Sequence, residues 1–440
     1  MPPPPLERAH LSSDPLHVYR ELPPILRSFW IAIVVLTAIA YFATFFFVHV
    51  LHRTQYPFSD TLLPPNYVGI DFLCFSDRFQ HFHQPAFFGH YQQAFNYPAP
   101  VALIYAFFYK LTPFPEEGYL ALASLSYLIA AILFARALIR EQIRPLTAIL
   151  FTATTLFFSY PLLLAAYLAQ MEISVWVITS IGLFAYVRGK GYTSAACFGM
   201  AASLKYYPIV YLGLALARRQ YRHAAFGLLI CAASLLVSIQ ILGPTFLAAW
   251  HGLAAEMIPF KVFYLYSFHP LEMGSTTPSS GLIKAYLYHL RSLQVLPHLV
   301  QPYLLVVAVA GIAVYLLRIT RLPLINQVLA LTIAAVLLPP ISHDYTLIHL
   351  YAPWAMLTLF LIDGGDVPQL RKPLGFTFIC FVILLVPENY LFYNGIRLGG
   401  QAKAVTLLVL FFIALRYPFQ RLGREPLPQE LRVPGAVATR

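Results

Sequence analysis

The feature that most constrains the fold is a series of long apolar segments that follow one another along most of the chain. They lie near residues 29–51, 99–112, 118–139, 146–168, 171–187, 192–217, 222–243, 302–318, 323–339, 345–362, 374–391 and 401–417. A membrane-spanning helix needs about 20 apolar residues. The segments are continuous rather than alternating, which favours helices over a β-barrel. We therefore expect an all-α integral membrane protein with about 12 transmembrane helices.

Composition supports this class. Hydrophobic residues make up 59% of the 440 residues, charged residues 11%, and the mean hydropathy of +0.68 excludes a soluble globule. The net charge of +11 does not indicate a nucleic-acid partner, because the basic residues cluster at the ends of apolar segments. Such clusters mark cytoplasmic loops. The four cysteines are scattered and form no metal-binding or disulfide pattern.

The charge pattern also predicts the organisation of the chain. Residues 1–28 form a proline-rich cytoplasmic segment, 29–417 the multi-pass membrane domain, and 418–440 a basic cytoplasmic tail. Within the membrane domain, 52–98 is predicted to be the first outer loop and 244–300 the second outer region. The short amphipathic stretches of the first loop suit helices that lie on the membrane surface.

Two arrangements remain open for residues 99–217. If 99–112 and 192–217 each cross once, two basic turns lie outside, against the positive-inside rule. If 192–217 is a broken pair of short helices that turns near residues 205–208, and 99–112 is re-entrant, the charges lie inside but the helices are short. Both arrangements place Asp71 and His343 on the non-cytoplasmic side.

Several charged side chains lie in or beside apolar segments, where a charge costs roughly 2.5–3.5 kcal/mol on insertion scales. Asp71 follows the first segment and precedes Asp77. Asp71 is either a general base at the membrane surface or a solvated loop carboxylate that caps a short helix. Tyr97, next to two prolines, is either an interfacial anchor or a ligand platform.

Further polar interruptions occur later in the chain. Lys205 lies in the middle of an apolar segment and close to Pro208, where a broken helix and an ammonium group would suit a phosphate. The alternative is a lysine that extends to the interface. Gln170 and Glu172 mark either the edge of a polar cavity or a tight turn between helices.

On the outer side, His343, Asp344 and Tyr345 open an apolar segment. His343 and Asp344 either hold a phosphate or sugar hydroxyl or cap the following helix. We expect the nearby His349 to pack rather than to react, and the spacing predicts no zinc site. Ser280 either donates its hydroxyl to a ligand or belongs to an ordinary loop.

In their order along the chain, these pieces resemble glycosyltransferase family 87. This family belongs to the GT-C superfamily of polyprenol-phosphate-sugar-dependent enzymes, which includes the phosphatidylinositol-mannoside mannosyltransferases. The likeness extends from about residue 65 to 362. It is carried by Asp71-Phe72, Tyr97-Pro98-Ala99-Pro100, Gln170, Lys205-Tyr206-Tyr207-Pro208, Ser279-Ser280-Gly281-Leu282 and Ser342-His343-Asp344-Tyr345.

The resemblance implies a GT-C-type helical bundle that moves a hexose, with mannose favoured, from a polyprenyl monophosphate to a lipid or envelope-glycan acceptor with inversion. It implies Asp71 as the catalytic base and Lys205 and His343 as phosphate-binding residues. The donor or acceptor sugar would contact Asp77, Tyr97, Gln170, Glu172, Ser280, Asp344 and Tyr345. Transfer without a metal or other cofactor is favoured, and the lipid-phosphate sugar is the co-substrate. The expected location is the bacterial cytoplasmic membrane, with the active site outside.

Two other functions remain open. A lipid or glycan transporter would also have polar residues in a membrane core, but the sequence contains no internal repeat of the kind many transporters have. A glycan ligase that uses lipid diphosphates would be expected to have arginine-rich outer sites, and the outer arginines are only Arg53, Arg78 and Arg291.

Overall fold

The computed structural model describes residues 19–52, 69–89, 94–267, 279–339, 341–364, 368–387, 392–393 and 396–420. Residues 1–18 of the predicted N-terminal segment and 421–440 of the predicted tail lie outside this range. So do residues 53–68 and 268–278 of the two predicted outer regions.

The first half of the described chain is helical. Its α-helices are α1 Pro24–Phe45, α2 Ile70–Leu73, α3 Ser76–Phe79, α4 Ala99–Leu111, α5 Pro115–Arg140, α6 Pro145–Phe157, α7 Tyr160–Tyr167, α8 Glu172–Val187, α9 Gly191–Leu204, α10 Leu212–Ala217 and α11 Tyr221–Leu242. Shorter helical turns cover Phe46–Val50, Pro85–Phe88 and Tyr207–Tyr211. Several helices, among them α1, α5 and α6, begin with proline, which lacks the N–H that a first helical residue leaves unpaired.

The second half continues in the same way. Its α-helices are α12 Phe246–Phe260, α13 Ser279–His289, α14 Leu296–Leu317, α15 Leu324–Leu337, α16 Tyr351–Ile362, α17 Arg371–Leu385 and α18 Gly399–Arg416. Shorter helical turns cover Lys261–Leu265, Leu293–Val295, Ile319–Arg321 and Asp344–Leu350. Apart from an isolated bridge between Arg20 and Ile143, the β-structure of the described residues is the pair Phe392–Tyr393 and Ile396–Arg397, which run antiparallel.

Six stretches of the described chain are long and apolar enough to cross a bilayer. They are Pro24–Phe45, Pro115–Arg140, Tyr221–Leu242, Leu293–Arg321, Asp344–Ile362 and Gly399–Arg416. The bent pair α6–α7, with 57° between its axes, makes a seventh if it is one span. Four further apolar helical stretches are shorter. The prediction of a helical membrane protein is therefore confirmed, but the number of about twelve spans is not.

The break in the middle of the chain agrees with one part of the second predicted arrangement, whereas the re-entrant course of residues 99–112 stays a prediction. Helix α9 ends at Leu204, Lys205 is extended with φ −144° and ψ 131°, and a new helical turn begins at Tyr207. Residues 192–217 are thus a broken pair of short helices. Helix α4 has 13 residues, which corresponds to about 20 Å of length, less than the roughly 30 Å hydrocarbon core.

The basic turns of the bundle lie at one end. The backbone N–H of Arg20 donates to the carbonyl of Gln142 at 2.7 Å, which joins the N-terminal basic residues to the turn after α5. The guanidinium of Arg218 lies 4.7 Å from the ring centre of Tyr186, near the end of α8. Because α8 and α9 each run from one end to the other, Glu172 and Lys205 lie at the opposite end from these basic turns.

An aromatic core fixes the first span against the later helices. The ring of Trp354, on α16, is 1% exposed and lies 6.0 Å from Phe29 of α1 and 5.7 Å from Phe151 of α6. Phe29 also meets Phe378 of α17 at 5.4 Å. Helices from the start, the middle and the end of the chain therefore share one packed interior.

Candidate active site

Asp71 lies on α2, a single helical turn that is attached to the end of α7. The N–H groups of Gly69 and Asp71 donate to the carbonyls of Tyr167 and Leu168 at 2.8 and 3.2 Å. Gly69 has φ +67°, and a Cβ atom at this position would be 1.7 Å from Oε1 of Glu116. Only glycine fits this close approach in the left-handed region without strain. The backbone at Gly69 thus determines the position of α2, and with it the position of Asp71.

An aromatic cluster holds the other side of α2. Phe72, next to Asp71, is fully buried, with ring centres of Tyr105, Tyr109 and Tyr119 at 4.5, 5.2 and 5.5 Å. The Tyr109 hydroxyl also donates to the carbonyl of Phe72 at 3.1 Å. Aromatic pairs of this kind each add about 0.5–1.5 kcal/mol beyond burial. The cluster therefore restrains the turn that carries Asp71.

Gln170 connects three parts of the site. Its side-chain amide donates a hydrogen bond to Oδ2 of Asp71, and its Oε1 accepts one from the Tyr97 hydroxyl at 3.2 Å. The Tyr119 hydroxyl donates to the Gln170 carbonyl at 2.7 Å. The preceding Ala169 has φ +52°. The segment is therefore a tight turn between α7 and α8 that brings the polar Gln170 side chain to Asp71, and its place at the edge of a cavity stays a prediction.

The environment changes the acidity of Asp71. Burial raises the pKa of its carboxyl group to about 6, although the hydrogen bond from Gln170 and the charge of Lys205 both act to lower it. A carboxylate with a pKa near 6 is ionised at neutral pH and still basic enough to accept a proton. This combination suits a general base.

Lys205 lies at the break after α9 and forms an ion pair across the site. Its Nζ is 2.8 Å from Oε2 of Glu172, which is fully buried at the start of α8. The ammonium lies 5.4 Å from the ring centre of Tyr97 and 5.2 Å from that of Tyr345, both within cation–π range. The Lys205 side chain is 18% exposed, so it is the accessible member of the pair.

His349 completes the surroundings of Glu172. Its Nε2 is 2.8 Å from Oε1 of Glu172 and 2.7 Å from the hydroxyl of Tyr207. We expected this histidine to pack, and it does so with 1% of its surface exposed, but it is also a polar member of the cluster. Only its place in an apolar segment could have indicated this role, since Glu172 is 177 residues away in sequence.

His343 contacts Tyr345, the same tyrosine whose ring the Lys205 ammonium approaches. Its ring centre is 5.2 Å from that of Tyr345 and 6.2 Å from that of Tyr264. Burial, together with the charge of Lys205, lowers the pKa of His343 to about 4. His343 is therefore neutral at pH 7, and it can contact a phosphate as a hydrogen-bond donor but not as a cation.

The other predicted residues are distributed differently. Asp344 is fully buried, with its Oδ2 3.1 Å from Nζ of Lys403 on α18, so its sugar-binding role remains a prediction. Asp77 is exposed on α3, and no described contact joins it to Lys205 or Glu172. Ser280 is buried in the first turn of α13.

The sequence did not reveal the partner of Arg78. Its Nη1 and Nη2 donate to Oε1 and Oε2 of Glu256 at 2.8 and 3.2 Å, and Nη1 also donates to the carbonyl of Phe87 at 3.1 Å. Oε2 of Glu256 accepts a further bond from the N–H of Phe95 at 2.8 Å. Both charged groups are buried. This ion pair joins the first predicted outer loop to α12 of the second outer region.

Among the described residues, no three His, Cys, Asp or Glu side chains come close enough to hold a metal ion. The expectation of transfer without a metal stays a prediction.

Comparison with known proteins gives one result. A family model described as glycosyltransferase family 87 matches residues 95–340, which is more than half of the chain. This range contains Tyr97, Gln170, Glu172, Lys205 and Ser280, and it excludes the predicted residues before 95 and after 340. No curated protein and no solved structure matches the chain.

Proposed function

The chain belongs to glycosyltransferase family 87, and we propose that it moves a hexose, with mannose as the first candidate, from a polyprenyl monophosphate to a lipid or envelope-glycan acceptor. Family membership supports a glycosyltransferase, and the apolar helices support an enzyme of the membrane. The donor, the sugar, the acceptor and the inverting outcome are our proposals.

The single observation that carries the proposal is the meeting of Asp71 with Lys205. The two residues are 134 positions apart in sequence, yet Gln170 bonds to both the Asp71 carboxylate and the Tyr97 hydroxyl, and the Lys205 ammonium lies 5.4 Å from the ring centre of Tyr97. A base and a cation beside one another are the two groups that transfer from a phosphate donor requires.

In the proposed reaction, Asp71 accepts the proton of an acceptor hydroxyl. The hydroxyl oxygen attacks the anomeric carbon and forms the new C–O bond. The bond from that carbon to the phosphate oxygen breaks, and the oxygen leaves with the electron pair. One displacement of this kind inverts the anomeric centre. A positioned base typically contributes 10²–10⁴-fold to the rate.

Lys205 stabilises the negative charge that grows on the leaving phosphate, and His343 assists as a neutral donor. Preorganised groups of this kind often supply the largest catalytic contribution. Glu172 and His349 hold the lysine before substrate arrives, so little reorganisation is needed.

The basic turns lie at one end of the bundle and the cluster at the other. By the positive-inside rule the basic end is cytoplasmic. We therefore place the site at the outer face of the membrane, which we propose is the cytoplasmic membrane of a bacterium.

The structure gives less support to a ligase that uses lipid diphosphates. Such an enzyme needs outer arginines for two phosphates, and Arg78, one of the three outer arginines, is buried in its ion pair with Glu256. Arg291 lies after α13 on an exposed turn.

The test is transfer of labelled mannose from polyprenyl-phosphate mannose by the purified protein in nanodiscs with bacterial lipid acceptors. We expect Asp71→Asn to lose at least about 100-fold in rate. Glu117→Gln, at an exposed carboxylate in the first turn of α5, is the control and should keep its activity. Transfer by Asp71→Asn at the wild-type rate would reject the base.

A further inference from the structure

Lys284 differs from the other buried lysines in what its ammonium group contacts. In the described chain, three lysines are mostly or fully buried: Lys205, Lys284 and Lys403. Lys205 and Lys403 each have a carboxylate oxygen within 3.1 Å. Lys284 is 3% exposed and donates only to the main-chain carbonyl of Tyr264, with no carboxylate of the described residues in salt-bridge range.

A buried charge is normally paired, because removal from water costs more than a single neutral hydrogen bond returns. Burial also lowers the pKa of Lys284 to about 8, so the ammonium form still predominates at neutral pH. A buried cation of this kind has capacity for an anion that none of the described residues supplies.

The position of Lys284 connects it to the proposed site through one residue. Tyr264 accepts the bond from Lys284 with its carbonyl, and its ring meets His343 edge-on at 6.2 Å and 86°. Ser280 is four residues before Lys284 on α13, so both lie on one face of the helix.

The charges of the cluster explain why another cation is needed. Asp71 and Glu172 bring two carboxylates, Lys205 brings one ammonium, and His343 is neutral. A lipid phosphate that entered beside Lys205 alone would meet a site that is already negative.

We propose that Lys284 is a second phosphate-binding residue, which binds the phosphate of a membrane-lipid substrate beside Tyr264. This inference rests on the proposed function. It assigns Lys205 to the charge that develops during transfer and Lys284 to the charge that the lipid already carries.

The test measures binding without catalysis. Full-length protein in nanodiscs of neutral lipid is titrated with radiolabelled undecaprenyl phosphate. We expect Lys284→Gln and Lys284→Met to weaken binding by at least about tenfold, the size expected for loss of one charge-assisted hydrogen bond. Lys284→Arg should retain most of the affinity. Lys261→Gln, an exposed lysine of the same outer region, is the matched control.

A second titration, with nanodiscs that contain phosphatidylglycerol, distinguishes the source of the phosphate. If Lys284→Gln loses binding of undecaprenyl phosphate, the phosphate that Lys284 binds is that of the donor. If Lys284→Gln loses affinity for the acidic phospholipid alone, the phosphate is that of an anionic acceptor. Both results support a phosphate site at Lys284. Equal affinities of wild type and Lys284→Gln for both lipids would overturn the inference, while the proposed function would stand if wild type still bound undecaprenyl phosphate.

If wild type itself failed to bind undecaprenyl phosphate, the proposed donor and the inference would both be rejected. The melting temperature of each variant confirms that it is folded. If the glutamine variant is not folded, the arginine variant keeps the test decisive.

Discussion

Glu172 and Lys205 form an ion pair in which Nζ lies 2.8 Å from Oε2, with the carboxylate fully buried and the ammonium partly exposed. The carboxylate also binds His349, so it has partners on both oxygens. Glu172 therefore sets the position of the cation that we assign to the phosphate. This relationship leads to a prediction about stability that does not depend on the reaction.

We expect Lys205→Met to destabilise the protein by roughly 3–5 kcal/mol, because it removes a partner from a buried carboxylate. The measurement is unfolding in detergent followed by a spectroscopic probe. The double variant Lys205→Met/Glu172→Gln should recover part of the loss, since no buried charge is then left unpaired.

Lys190→Met, at an exposed lysine before α9, serves as the control and should change stability by less than about 0.5 kcal/mol. If the stability losses of Lys205→Met and Glu172→Gln, each measured alone, simply added in the double variant, the two charges would not be coupled.

The pH dependence of transfer should report on Asp71. The base must be ionised, so kcat/KM should fall as the pH drops below about 6, the pKa to which burial raises this carboxyl group. Gln170 donates to the ionised form and so lowers this pKa. We therefore expect Gln170→Leu to move the acidic limb to higher pH, as measured by a pH profile of kcat/KM.

Gln142→Leu, at the opposite end of the bundle, should leave the limb in place. An acidic limb that stayed at the same pH in Gln170→Leu would show that another group controls it.

The Arg78–Glu256 ion pair should stabilise the outer part of the protein. Removal of one partner leaves a buried charge, so Arg78→Met should cost about 3–5 kcal/mol, and Arg78→Met/Glu256→Gln should cost less than that single variant. Hydrogen exchange of residues 69–89 is the measurement, because local opening would expose these amides first.

Arg291→Met, on an exposed turn, is the control. Unchanged exchange in Arg78→Met would mean that the ion pair does not hold the two regions together.

The sequence identified several polar residues that the structure brings together, but it did not identify the partners of others. Asp71, Gln170 and Lys205 were identifiable because each interrupts an apolar environment, and that signal is local. Three of the pairs are far apart in sequence: Glu256 is 178 residues from Arg78, Lys403 is 59 residues from Asp344, and Glu172 is 177 residues from His349. No local pattern encodes such pairings.

Helix lengths were also hard to predict. The bend between α6 and α7 divides an apolar segment that the sequence presents as continuous, whereas the break at Lys205 was part of one of the two arrangements that the sequence left open. Hydropathy reports where the chain is apolar, but the backbone between those positions is set by packing against neighbouring helices. The ends of the short helices therefore could not be read from composition.

Gly69 offers a test of how the backbone positions the base. Gly69→Ala places a side chain at φ +67° and brings its Cβ 1.7 Å from Oε1 of Glu116, so both the turn and Glu116 must move. The left-handed conformation alone costs about 1–2 kcal/mol. We expect a stability loss of at least that size and a lower kcat, because α2 carries Asp71. Transfer kinetics and thermal unfolding measure the two effects separately.

Gly364→Ala separates strain from collision, because Gly364 has φ +87° but no atom of the described residues lies within 4 Å of its added Cβ. It should lose stability by a similar conformational penalty and keep its kcat. In Gly69→Ala/Glu116→Ala the collision is relieved, so kcat should recover while the conformational penalty remains. If Gly69→Ala transferred sugar at the wild-type rate, the position of Asp71 would not depend on this turn, and the hydrogen bond from Gln170 would have to hold the base in place.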